Sequence, residues 1–331
     1  MTDTVKIVNE SAHRLFKEII QKKDLDQAEA GFWPENLWQA VKQAGYIEAW
    51  DENNIESREI GLTLAQLSGW HALPIPLVET MAARNLAIRY LKFCPDGPLT
   101  IANPFLLKDC SIKNDKLIGI ATGVPFARHV KNIVTVIDGN LILAPSLISH
   151  EGLNMAGEVR DNIFWKEAEV IVGPKVSQET VMEKGALMRS AQICGALQHA
   201  LDKSTNYATE RKQFGRSLSK FQTIQNYLAK MASLTAMAEA ALSNAIHLES
   251  TRTIATAKSC ASEAGGEVAS LAHRIHGAIG FTHEYSLHHL TRRLLSWREE
   301  FGAESWWHDR LGRIAIKAGS DNLWAMITSK H

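Results

Sequence analysis

The sequence predicts a mostly α-helical chain in which a small antiparallel β domain separates an N-terminal helical domain from a C-terminal four-helix bundle. Three observations predict it. Apolar residues recur at helical spacing over 5–95 and again, in much longer stripes, after Pro174. Between those stretches the pattern changes to short apolar runs broken by turn residues. With 331 residues, the chain is long enough for two or three domains of roughly 100–200 residues.

The elements follow in order. Val8, Leu15, Ile19 and Ile20 share one helical face, and Leu37, Ala40, Val41 and Tyr46 repeat the pattern. Pro34 suits a helix start, where the N–H that proline lacks has no intrahelical partner anyway. Leu62–Leu67 forms a third helix running into Trp70, Leu73-Pro74-Ile75-Pro76 breaks regularity, and Leu77–Tyr90 resumes it. The change comes at Cys94-Pro95-Asp96-Gly97-Pro98. Strand-length runs follow at Leu99–Ala102, Leu117–Ala121, Ile133–Ile137, Leu141–Ala144 and Val170–Val172. Asp138-Gly139 between two of them is a hairpin signal, because glycine tolerates the positive φ of such a turn. After Pro174 three stripes run through Ile193–Ser204, Phe221–Ala245 and Ile254–Ile275, and Ser286–Trp297 adds a fourth. Each is too long for a lone surface helix, so antiparallel packing in a bundle is expected. The expected domains are 1–96, 97–175 and 176–331. There is no internal repeat.

Composition excludes several classes. Hydrophobic residues at 45% and charged residues at 22% are globular values, not disordered ones. Lys+Arg and Asp+Glu are both 36, and a net charge of zero argues against a nucleic-acid partner. Cys94, Cys110, Cys194 and Cys260 lie far apart without a CxxC pair, so buried reduced thiols are expected. The N-terminus lacks a basic-then-apolar leader and no uncharged stretch approaches the ~18–20 residues of a bilayer span, so a cytoplasmic protein without a membrane partner is expected. GxGxxG after a strand, GxxxxGK[ST] and HExxH are all missing, and no metal site is expected. His288-His289 points to two helix faces and reads as surface.

Two segments stand out. In Glu210-Arg211-Lys212-Gln213-Phe214-Gly215, followed by Leu218 and Phe221-Gln222, a long helix is expected to end at the glycine and a new helix to begin at once. Guanidinium, amide and helix N-terminal groups at such a corner can hold a pyrophosphate. The same residues also read as a plain interhelix turn with a glycine cap and solvated charges. In His276-Gly277-Ala278-Ile279-Gly280-Phe281-Thr282-His283-Glu284-Tyr285, glycines three apart allow backbone to approach a flat or anionic ligand, or simply make a loop.

Together the segments resemble the acyl-CoA dehydrogenase family. Its Arg-x-x-Phe-Gly pattern, then Gln, matches Arg211, Phe214, Gly215 and Gln222; its Gly-Gly-x-Gly-Phe-x-x-Glu pattern matches Gly277, Gly280, Phe281 and Glu284, with Ala278 replacing a glycine. The spacing of the two segments and the helical–β–helical order agree as well. The resemblance implies FAD bound where two subunits meet and an acyl-CoA substrate. It places Arg211 on the pyrophosphate of the neighbour's flavin, with Gln213, Phe214, Leu218 and Gln222 beside it, and Gly277 and Ala278 on the adenosine side. Arg274 stands at the family's Gln position before the glycine segment. It also implies α,β-dehydrogenation, a carboxylate taking the α-proton while the β-hydride leaves for the flavin.

The base is where the sequence departs. The usual Glu position, 24 residues after Gly277, holds Phe301, followed by Gly302 and by Ala303 in place of the family's Thr. Glu300 is one residue off, which on a helix turns a side chain by ~100°. The family's alternative position, 26 residues before Arg211, holds Gly185, with Glu183 two residues away. Residues 97–130 also lack the Gly-Ser-rich loop that usually lies on the flavin ring. Some members of the family work as mixed assemblies of two related chains, one carrying the base, and this chain resembles the catalytically reduced one. Left open beside that reading are an active homo-oligomer using Glu300 as base and a flavin-free binding or structural protein. Trp306-Trp307 reads as core, with an acyl pocket as its alternative.

Overall fold

The structure is a computed structural model that describes residues 2–51, 54–248 and 250–328. The N-terminal part holds α1 (Asp3–Ile19), α2 (Lys22–Glu29), α3 (Glu35–Gln43), α4 (Ile55–Trp70) and α5 (Leu77–Leu86). Pro34 sits immediately before α3, and the Thr2 and Asn54 side chains cap α1 and α4 by accepting backbone N–H bonds. A single wide π-turn, Ala87–Leu91, ends this part.

Eight strands then form two four-stranded sheets. β1 (Leu99–Ile101), β4 (Asn132–Ile137), β5 (Asn140–Pro145) and β8 (Ile171–Lys175) make one; β2 (Leu107–Lys113), β3 (Lys116–Pro125), β7 (Arg160–Glu169) and β6 (Ile148–His150) make the other. Asp138 and Gly139 both adopt positive φ (51° and 75°) between paired Ile137 and Asn140, as the hairpin signal predicts. The sheets are not wholly antiparallel: β1 pairs with β4 in parallel. Their inner faces meet over Leu117, Ile133, Ile142, Ile163 and Trp165.

The bundle consists of α6 (Gln178–Glu210), α7 (Gln222–His247), α8 (Thr251–His276) and α9 (Leu287–Trp297), with α10 (Glu304–Ala318) and α11 (Ser320–Thr328) beyond it. At 33 residues α6 is its longest member, spanning about 50 Å. It is pressed onto α4 through glycines. A Cβ on Gly69 would lie 1.8 Å from the Gln192 carbonyl oxygen, and one on Gly195 1.8 Å from that of Gln66. The two backbones therefore touch, which binds the N-terminal helices to the bundle. Among the described residues no helix is long and apolar enough to cross a membrane. All four cysteines are free; only Cys194 is buried, and the other three are half-buried, where full burial was expected.

Candidate functional site

The Arg211 segment is not a simple helix corner. α6 ends at Glu210, before Arg211 and not at Gly215, and a two-residue hairpin intervenes. Lys212–Gln213 (β9) pairs with Arg216–Ser217 (β10), and Phe214 and Gly215 turn between them with φ of 52° and 80°. Leu218–Lys220 winds one 3-10 turn before α7 starts at Gln222. Arg211, Gln213, Phe214 and Gln222 are exposed and Leu218 is half-buried, its N–H donating to the Arg211 carbonyl at 2.9 Å. Phe214 is 89% exposed and carries a φ that bulky residues seldom adopt. Its ring stands edge-on to Phe221 with centroids 6.2 Å apart.

Arg274, Gly277 and Ala278 are exposed at the C-terminal end of α8, and Phe281 follows at 71% exposure. Tyr207 stacks on His276 with centroids 4.5 Å apart, so the ends of α6 and α8 lie together. The arm and the glycine segment therefore occupy the same end of the bundle.

The expected base positions lie at the other end. The Phe301 ring is buried against Gly185, where a Cβ would sit 2.2 Å from a ring carbon. The two counts along the sequence thus arrive at one place, and that place is filled by an aromatic ring on a bare backbone. From Gly185 to Tyr207 along α6 is about 33 Å, so the arm does not reach its own chain's base position.

Glu300 is held in buried ion pairs. Its carboxylate accepts from Arg160 Nε at 2.7 Å and Arg189 Nε at 2.8 Å. Burial pushes its pKa up, but the two guanidiniums outweigh burial and hold it at about 2. The buried Lys258 ammonium donates to the Arg298 carbonyl at 2.8 Å and fixes the turn that carries Glu300 and Phe301.

Glu300 belongs to a buried ionic seam that sequence reading missed. Arg189, fully buried on α6, also donates to Glu79 of α5 at 2.7 Å. Arg160 of β7 continues to Glu158 at 3.1 Å, Glu158 to Arg293 of α9 at 3.2 Å, and Arg293 to Glu29 of α2 at 3.0 Å. His289 closes on Glu29 at 2.7 Å. His288 and His289 are therefore buried, contrary to the surface reading. The available signal was charge within apolar stretches, as at Glu79 and Arg189. Between the sheets and α9 lies a small cavity of about 20 Å³, whose lining includes Phe126, Glu158, Arg293 and Glu29.

The seam makes stability acid-sensitive. Glu29, where burial raises the pKa but His289 and Arg293 lower it further, also sits at about 2 against an ordinary 4.5. A carboxyl depressed on folding stabilises above its unfolded pKa, and that contribution is lost as pH falls from about 4.5 toward 2. Urea midpoints are expected to fall already from pH 7, because burial lowers the pKa of His71 and His199 and they take up protons on unfolding, and to drop further below pH 5 as Glu29 and Glu300 do. A profile flat to pH 3 would contradict this role for Glu29 and Glu300.

Fold and site together define a helical chain interrupted by a paired-sheet module, with an outward arm at one end of its bundle and an ionic seam at the other. Residues 172–313 match the family profile described as acyl-CoA dehydrogenase, C-terminal domain. The sequence match to that domain lies in the C-terminal half of the chain, and the likeness of fold to acyl-CoA dehydrogenases runs through the whole. It is 35% identical over 136 residues to acryloyl-CoA reductase (NADH) of Anaerotignum propionicum, 40% of this chain and 34% of that one. The match spans about a third of the length of such curated relatives. A variant of the steroid acyl-CoA dehydrogenase Tcur3481-Tcur3483 superposes with TM-score 0.86 at 20% identity, covering 96% of this chain and 98% of that one. The ChsE4-ChsE5 complex from Mycobacterium tuberculosis does so with TM-score 0.84 at 16% identity, covering 97% and 99%. Trp307 is buried, its indole N–H donating to the Phe301 carbonyl at 3.0 Å, and Trp306 is half-buried beside it.

Proposed function

We propose that this chain is the base-less subunit of a two-chain, FAD-dependent acyl-CoA dehydrogenase and completes the flavin site of a related, base-bearing partner. The observation that carries this is the split along α6. The arm projects outward with Phe214 89% exposed, while the base position is an aromatic ring packed on Gly185.

The residues fit the dinucleotide end of the cofactor and not its ring. Arg211, with Gln213 and Gln222, would hold the pyrophosphate, since a guanidinium forks onto phosphate oxygens. Phe214 and Leu218 would supply apolar contact, and Arg274, Gly277 and Ala278 would flank the adenosine. No chemical step is assigned to this chain's own residues. Flavin in the partner's site would accept the β-hydride of an acyl-CoA thioester while the partner's carboxylate takes the α-proton. This chain's part is to bind and orient.

Two further features favour a related chain as partner. The outer face of α7 exposes Ala229, Ala232, Ala236, Met237 and Ala240, a small and uncharged surface that lets another helix approach. Both structural neighbours above are named as pairs of chains. Purified alone, the chain is expected to be nearly colourless and inactive on a panel of acyl-CoA thioesters with an electron acceptor. Co-expressed with a base-bearing homologue, it is expected to give a yellow complex with one FAD per pair and turnover. A yellow, active chain on its own would overturn the proposal.

A further inference from the structure

A second constellation lies where α2 meets the loop before α9. Asp26 of α2, His283 of the loop and His288 of α9 bring their ligand atoms within 4.8 Å of one another. His288 is 9% exposed, and its Nδ1–H donates to the Tyr285 carbonyl at 2.8 Å. That bond leaves Nε2 as the lone-pair nitrogen, and Nε2 is buried with no hydrogen-bond partner. A carbonyl fixing one ring nitrogen while the other stays free is how proteins prepare an imidazole for a metal. The His283 ring stands edge-on to His288 with centroids 5.2 Å apart. Asp26 and the Nε2 of His288 can only accept, so a cation held between them and His283 would satisfy both.

We propose that Asp26, His283 and His288 form a binding site for a divalent transition cation, and that zinc is its occupant. Two imidazoles and one carboxylate favour Zn²⁺ over Mg²⁺ or Ca²⁺, which take oxygen ligands. Exposed His283 leaves an entry path and a position for water. The cations nearby are accommodated. Lys22 holds the far oxygen of Asp26 at 2.5 Å, and Arg292 is taken up by Glu29. His289 Nε2 stands 3.1 Å from the near oxygen. The bound ion would staple α2 of the N-terminal part to the start of α9, and would order the loop that follows the glycine segment.

The test uses the tag-free full chain dialysed against chelator. Titration with Zn²⁺ alone, followed by calorimetry, is expected to show one site per chain and a rise in melting temperature. Co²⁺ is expected to give visible d–d bands without a thiolate charge-transfer band. His283→Ala, at an exposed loop position, is expected to keep the far-UV circular dichroism and the chelator-state melting temperature while weakening Zn²⁺ more than about 100-fold. Asp26→Asn is expected to weaken it too. No binding by the wild-type chain, binding unchanged in both variants, or a cobalt spectrum of cysteine ligation would each overturn the proposal.

Discussion

Arg189→Ala is expected to cost about 3–5 kcal/mol of unfolding free energy, the usual scale for removing one partner of a buried ion pair. Arg189 is fully buried and serves Glu79 at 2.7 Å, Glu300 at 2.8 Å and the Gln192 side-chain oxygen. Truncation would leave the Glu79 carboxylate without its guanidinium and Glu300 with Arg160 alone, in a space that water barely enters. The effect comes from that orphaned charge and not from the worth of the pairs themselves. Replacing Arg189, Glu79 and Glu300 together by Met, Leu and Gln should therefore recover much of the loss. Urea unfolding of the single and triple variants checks both statements. A loss under about 1 kcal/mol for Arg189→Ala would show that the seam is solvated and not structural.

Arg211→Ala is expected to act on cofactor and not on fold. Removing one charged contact to a pyrophosphate costs about 1.5–3 kcal/mol, or roughly 10- to 150-fold in FAD affinity of the two-chain complex. The residue is exposed and its side chain makes no hydrogen bond in the isolated chain, so the urea midpoint of that chain should stay unchanged. Arg211→Lys should recover only part of the affinity, because an ammonium cannot fork onto two phosphate oxygens. Flavin fluorescence released from the purified complex measures the occupancy. Unchanged occupancy in Arg211→Ala would remove the arm from the flavin site.

Much of the fold was legible because its signal is periodic. The stripes ending at Ser204, Ala245 and Ile275 lie within α6, α7 and α8, since a residue facing a bundle core must recur every 3.6 positions. The Asp138-Gly139 hairpin was legible because two positive φ values restrict the residue types. β2 and β7 were not. Their outer faces carry Lys108, Asp109, Lys166 and Glu167 in water, which breaks the apolar runs sought. The parallel pairing of β1 with β4 could not be read either, because it depends on a distant segment and not on local pattern. At the site, the arm was legible as a motif, but its hairpin was read as a bare helix corner.

What the sequence by itself determined is the vacancy of both base positions and the survival of the Arg211 segment, since residue identity and spacing are properties of the chain. Only the tertiary structure showed that Phe301 and Gly185 fill one spot, that Glu300 is held as an anion between Arg160 and Arg189, and that Asp26 meets His283 and His288. Those facts are distances between residues far apart in sequence. A carboxylate beside two guanidiniums and the same carboxylate in water differ in proton affinity by orders of magnitude, and nothing in the local sequence distinguishes them.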